Sequence, residues 1–220
     1  MPVFWSLTGL AVLVVLVVLG VCLYCGYCLR RLGRPTRGKM IDPVSRPNSA
    51  LVVIDVQEDF TRNTGKHAYA PQARDLALAA INREISAARE VGMEVIFVRN
   101  VFRDWPVILA MKLSAGGIGT PGREGLKFDR TLDVGSSPVF EKSIGDSFSC
   151  PDFEIFLAER KVGRLILAGL DACHCVQLTA KGALARGYDV EIREPATLTT
   201  APENWAALKE GLRTAGAVLA

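Results

Sequence analysis

The stretch from Leu7 to Leu29, "LTGLAVLVVLVVLGVCLYCGYCL", runs for 23 residues without a charged side chain. It constrains the chain more than any other feature, because lipid offers the backbone no hydrogen-bond partners and a lone segment there must satisfy itself as a helix. At 1.5 Å per residue such a helix rises about 34 Å, enough to cross a hydrocarbon core of about 30 Å. No Lys or Arg precedes the run, and Arg30 and Arg31 follow it directly. A cleaved signal peptide has the opposite polarity, so residues 1–29 read as a transmembrane helix. Arg30, Arg31, Arg34, Arg37, Lys39 and Arg46 face a single acid, Asp42, over the next residues. That excess predicts the following chain on the cytoplasmic side. Cys22, Cys25 and Cys28 lie near the end of the run, either as apolar filler or as acylation sites.

The formal net charge of +3 is unevenly spread: residues 1–49 carry +5 and the rest −2. The basic balance belongs to the segment beside the membrane, and no nucleic-acid footprint remains in the body. Gly33, Pro35, Gly38, Pro43 and Pro47 mark residues 30–48 as a linker without a periodic apolar face. Residues 49–220 then make one domain's length, ample for a single core.

Within that body short apolar runs alternate with helical stretches. Strands are predicted at 50–56, 93–98, 137–142, 164–170, 188–192 and 215–220, and a helix at about 72–91. Further helices open at Pro151, run from about Cys175 to Ala185, and follow "TAPE" at Thr200 to Glu203, a candidate capping box. The strands are short, β-branched and nearly all apolar, as in a parallel sheet buried on both faces. The fold class is therefore α/β: a three-layer α/β/α, doubly wound, mainly parallel sheet. The segment Arg103 to Arg130, rich in glycine, reads as a long loop.

Ligands of such sheets bind beyond the carboxyl ends of the strands, so polar residues there are the ones to weigh. Asp55 closes the first strand in "LVVIDVQEDF", Lys142 closes "SPVFEKS", and Cys175 follows "RLILAGL". Singly, each has an ordinary reading as a cap, an exposed ammonium or a small buried apolar residue. Together, a carboxylate, an ammonium and a thiol at one sheet edge make an activated nucleophile, with Asp55 as base and Lys142 and the helix start favouring the thiolate.

These motifs also carry a resemblance. "IDVQEDF", "EKSIGDSF" and "LAGLDACHCVQLTAKGALARGYDV" are similar to the isochorismatase-like family of cysteine hydrolases, over about residues 49–200. The resemblance implies the α/β/α fold and an Asp55, Lys142, Cys175 triad that hydrolyses C–N bonds of small amides, ureides or carbamoyl compounds through a thioester. It also implies an oxyanion hole of the backbone N–H groups of Asp171 and Cys175, with a cis bond between Leu170 and Asp171. Some relatives bind a metal through an Asp and histidines after the second strand. Here Asp104 has no histidine following it, so no metal and no cofactor is expected.

Cys173, His174 and Cys175 are adjacent, which suits neither a zinc site nor a redox pair; outside them the body holds only Cys150 and His67. Cys173 is left as a packing or pocket-edge residue and His174 as a polar pocket wall or a solvent-facing turn residue. Phe60, Trp105 and Phe148, with Phe102, are candidate pocket walls, each with an ordinary core role as its alternative. Two functions stay open: a membrane-anchored cysteine amidohydrolase acting on a small-molecule amide, and a tethered binding or scaffold module of the same fold without turnover. A homo-oligomer is compatible with either.

Overall fold

The computed structural model describes residues 7–65 and 68–220, so His67 and the first six residues lie outside the described residues. The apolar run forms helix α1, Leu7–Leu32, whose segment Gly9–Leu32 has a mean hydropathy of 2.7 and is long and apolar enough to cross a membrane. After the linker come β1 (Asn48–Ile54), a short α2 (Glu58–Thr61), α3 (Pro71–Glu90) and β2 (Glu94–Asn100). They are followed by α4 (Trp105–Ser114), β3 (Val139–Lys142), α5 (Pro151–Glu159) and β4 (Val162–Leu170). Last are α6 (Gln177–Leu184), β5 (Asp189–Leu198), α7 (Pro202–Thr214) and β6 (Val218–Leu219).

The six strands form one sheet in the order β3-β2-β1-β4-β5-β6 with every pairing parallel. The period of two splits each strand between two cores. Leu51 and Val53 of β1 pack with Leu78, Ile81 and Ile85 of α3, whereas Val52 and Ile54 join Phe153 of α5, Ala180 of α6 and Leu212 of α7. Burying each large aliphatic side chain contributes about 1.5–3 kcal/mol, so both layers are needed to hold the sheet.

Strand order reverses between β1 and β4, and a crevice opens at their carboxyl ends. Its shape depends on Gly169. With φ at +113° it occupies backbone space that L side chains rarely adopt, and an added Cβ would run into the backbone of Ile54 on β1. The end of β4 thus approaches β1 more closely than any other residue type would allow.

Three expectations change. Residues 105–114, expected in a loop, are helical, because Pro106 suits a first helical turn and seven residues of good helix-forming or apolar character follow it. The capping box is absent: α7 has Ala201 at its N-cap without a side-chain cap, which puts Glu203 one position too early to reach back. All described peptide bonds are trans, that between Leu170 and Asp171 included, the lower-energy state of a non-proline bond.

The linker is pinned to the body. The Leu32 carbonyl accepts from the Gly145 N–H at 3.2 Å. Thr36 donates through its N–H and its hydroxyl to Asp146 Oδ2, each at 2.7 Å. Arg186, buried under the linker, donates to the Thr36 carbonyl at 3.1 Å and stacks over Phe148 at 4.5 Å.

Candidate active site

Three segments that end strands converge at the crevice. Asp55 directly follows β1 with φ at +55°, a left-handed conformation that Asp tolerates better than most residues. Its N–H donates to the Val98 carbonyl of β2 at 2.8 Å, which fixes the bend. Lys142 is the last residue of β3. Cys175 lies in a single π-helical turn, Ala172–Val176, that bridges β4 and α6. Turns of this kind are rare and concentrate at functional sites.

Lys142 is wholly buried and its ammonium is surrounded by acceptors. It donates to Asp55 Oδ2 at 2.8 Å, the Ile144 carbonyl at 3.1 Å, Asn100 Oδ1 at 3.3 Å and Cys175 Sγ at 3.3 Å. The other oxygen of Asp55, Oδ1, is buried and has no hydrogen-bond partner among the described residues. With one oxygen held by Lys142 and the Cys175 thiol acting on the same carboxylate, Asp55 is arranged to accept a proton.

Burial raises the Asp55 carboxyl above its ordinary value, against the lowering effect of Lys142. Burial would lower the Lys142 ammonium, but its interactions with Asp55 first and Cys175 second outweigh that and the net direction is up. The Cys175 thiol is pushed well above its ordinary 9.0, first by burial and then by Asp55, with Lys142 opposing. These directions favour retention of the proton by the Cys175 thiol beside the Asp55–Lys142 pair. Desolvation of the sulfur is the larger effect, and the Lys142 ammonium only opposes it. Alkylation of Cys175 by iodoacetamide should accordingly keep accelerating past pH 9, followed by peptide mass spectrometry; a plateau reached by pH 7 would show a preformed thiolate.

Around this cluster lies a cavity of about 420 Å³. Asp55, Asn100, Asp171, His174 and Cys175 supply its polar wall, and Phe60, Phe102, Leu170 and Leu178 much of its apolar one. Phe60 and His174 line this cavity. Phe148 and Trp105 are not among its lining residues. Phe148 turns into the core against Phe153 and Tyr188, and Trp105 lies half exposed against Tyr24 of α1. Adjacency to a motif in sequence does not set the direction of a side chain.

The paired cysteines separate cleanly. Cys173 is buried in the core, where its sulfur accepts from the Thr199 hydroxyl at 3.3 Å and donates to the Ala201 carbonyl at 3.4 Å. Among the described residues no three His, Cys, Asp or Glu side chains form a metal-binding group.

Sequence reasoning missed Asn100, Gln57, Tyr69 and the side chain of Asp171. Gln57 clasps the end of β2, accepting from the Asn100 N–H at 2.6 Å and donating to its carbonyl at 3.1 Å. Asp171 caps the π-turn through the Cys173 N–H at 2.7 Å and accepts from Thr199, from the Thr200 N–H and from the Tyr69 hydroxyl. Burial, then Asp171, holds the Tyr69 phenol well above its ordinary value, so it stays a donor. Asn100 was within reach of the strand-end rule that found Lys142; Tyr69 carried no signal.

The all-parallel sheet and the crevice at its switch point define an α/β protein with its candidate site at the carboxyl ends of β1, β3 and β4. Residues 49–220 match the isochorismatase domain, and the chain belongs to the isochorismatase family. It is 25% identical over 147 residues to N-carbamoylsarcosine amidase of Arthrobacter sp., covering 63% of this chain and 55% of that protein, so it spans only about half of that relative's length. An uncharacterized isochorismatase family protein of Bacillus subtilis is 27% identical over 156 residues, covering 69% of this chain and 78% of the relative. The fold is similar to that of the pyrazinamidase/nicotinamidase of Streptococcus mutans, with a TM-score of 0.67 and 24% identity over 79% of this chain and 100% of the other.

Proposed function

We propose that the chain is a membrane-anchored cysteine amidohydrolase that cleaves a C–N bond of an amide, ureide or carbamoyl compound through a thioester. The observation that carries this reading is the contact of Lys142 with both Asp55 and Cys175 inside a cavity large enough for a small ligand. The kinship with an N-carbamoylsarcosine amidase supports the amide class.

As Cys175 Sγ attacks the carbonyl carbon, its proton passes to Asp55 Oδ1, and Lys142 stabilises the sulfur as charge develops on it. The carbonyl oxygen takes up negative charge, with the backbone N–H groups of Asp171 and Cys175 as its proposed donors. Collapse breaks the C–N bond, and protonated Asp55 delivers the proton to the leaving amine. Water then attacks the thioester, giving its proton to Asp55, and the Cys175 thiol is restored as the acid leaves. The high resting pKa of the thiol makes the base indispensable, because attack and proton transfer must be concerted.

A screen of the full chain in detergent against N-carbamoylsarcosine, nicotinamide and small ureides, read as ammonia or amine release, tests the reaction class. Turnover of at least one member, absent from Cys175→Ala, is expected; no turnover of any, with Cys175 inert to alkylation, would favour a binding module. We place α1 across a membrane and the body on its cytoplasmic side, on the arginines after Leu29. An impermeant thiol reagent applied to intact cells should then leave Cys150 and Cys175 unlabelled, and labelling of either would reverse the orientation.

A further inference from the structure

The candidate site lies beside the end of α1. Its cavity is walled on one side by Leu32 and Gly33, at the end of α1, and on another by Met111, Ser114 and Ala115 of α4 and the turn after it. Helix α4 presents Trp105, Leu109 and Leu113 to the outside, 50%, 49% and 80% exposed. These residues recur every four positions and so form one apolar stripe. The Trp105 ring lies 6.2 Å from that of Tyr24 in α1. Tyr24 precedes Arg30 by six residues, about 9 Å along a helix. The start of α4 therefore sits at the depth where interfacial helices and aromatic belts bury themselves, about 5–10 Å inside the headgroup boundary. The linker contacts of Leu32, Thr36 and Arg186 hold the body against the end of α1.

We propose that α4 is seated in the cytoplasmic leaflet and that the site takes amphiphilic amides directly from the bilayer, the amide at Cys175 and the apolar tail leaving between Leu32 and Met111 into lipid. This rests on the amidohydrolase reading of the same site and names its substrate class. An exposed apolar stripe continuous with a membrane span is covered by lipid without any further partner.

The test uses the full chain in phosphatidylcholine–phosphatidylglycerol liposomes and two probes, iodoacetamide and N-dodecyl iodoacetamide, with labelling of the Cys175 peptide read by mass spectrometry. At equal bulk concentration the dodecyl reagent should label Cys175 about tenfold faster or more, because its chain partitions into the leaflet that feeds the site. In Leu109→Glu/Leu113→Glu that preference should fall close to one while the iodoacetamide rate is unchanged. In a Trp5→Phe/Trp205→Phe background, lipids brominated on the upper acyl chain should quench Trp105. Equal rates for the two reagents, or a preference that survives the glutamates, would overturn the proposal and leave Cys175 as the nucleophile. Labelling by neither reagent would remove the nucleophile and the proposal together. An unquenched Trp105 in a chain that crosslinks as a dimer would assign the α4 stripe to a second copy and overturn the lipid route.

Discussion

Cys175→Ala should lower amide turnover by roughly four orders of magnitude or more, while Cys173→Ala, two residues away, should keep most of it. The difference follows from direction. The Cys175 sulfur lies 3.3 Å from the Lys142 ammonium in the cavity wall, and the Cys173 sulfur is committed to Thr199 and Ala201 on the core side of the same turn. Truncating Cys173 removes one sulfur from a packed core, and the expected cost is about 1–2 kcal/mol of stability with little change in rate. Steady-state turnover of the two variants, normalised to folded protein, checks this. Activity that tracks Cys173 instead would exclude the proposed nucleophile.

Lys142→Met should be costly in another way. The ammonium is wholly buried, as is the carboxylate it holds, and removing one partner of a buried pair typically costs about 3–5 kcal/mol. Asp55 is then left either as an unpaired buried charge or as a neutral acid that is no longer a base, so turnover should fall with stability. The double variant Asp55→Asn/Lys142→Met buries no charge at either position and should recover much of the lost stability, measured by thermal unfolding in detergent. Its turnover should stay as low as that of Lys142→Met alone, because the residues act as one unit. Full stability in Lys142→Met, or rescue of activity in the double variant, would contradict a coupled ion pair beside the thiol.

Strands were legible because a sheet covered on both faces leaves apolar, β-branched runs bounded by turns, and β1, β2 and β4 match that description closely. The meeting of Asp55, Lys142 and Cys175 was legible for the same reason, since a parallel sheet gathers its carboxyl ends at one edge. Helix α4 was hidden by its own composition. With an apolar side chain at most positions it has no amphipathic period to detect, and its partner face is set by α1 rather than by the sheet. The state of the thiol was also out of reach: the sequence shows the ammonium and the helix start, but not the burial that outweighs both. Gly169 lies between these cases, visible as a glycine at a strand end, yet meaningful only once Ile54 of the neighbouring strand is in place against it.

The central claim is a covalent intermediate on Cys175, and rapid acid quench during steady-state turnover of an accepted amide, followed by peptide mass spectrometry, tests it most directly. The account predicts an acyl adduct on the peptide containing Cys175 that hydroxylamine removes and that Cys175→Ala lacks. Turnover at full rate with no adduct on that peptide, or an adduct located on Cys173, would contradict it.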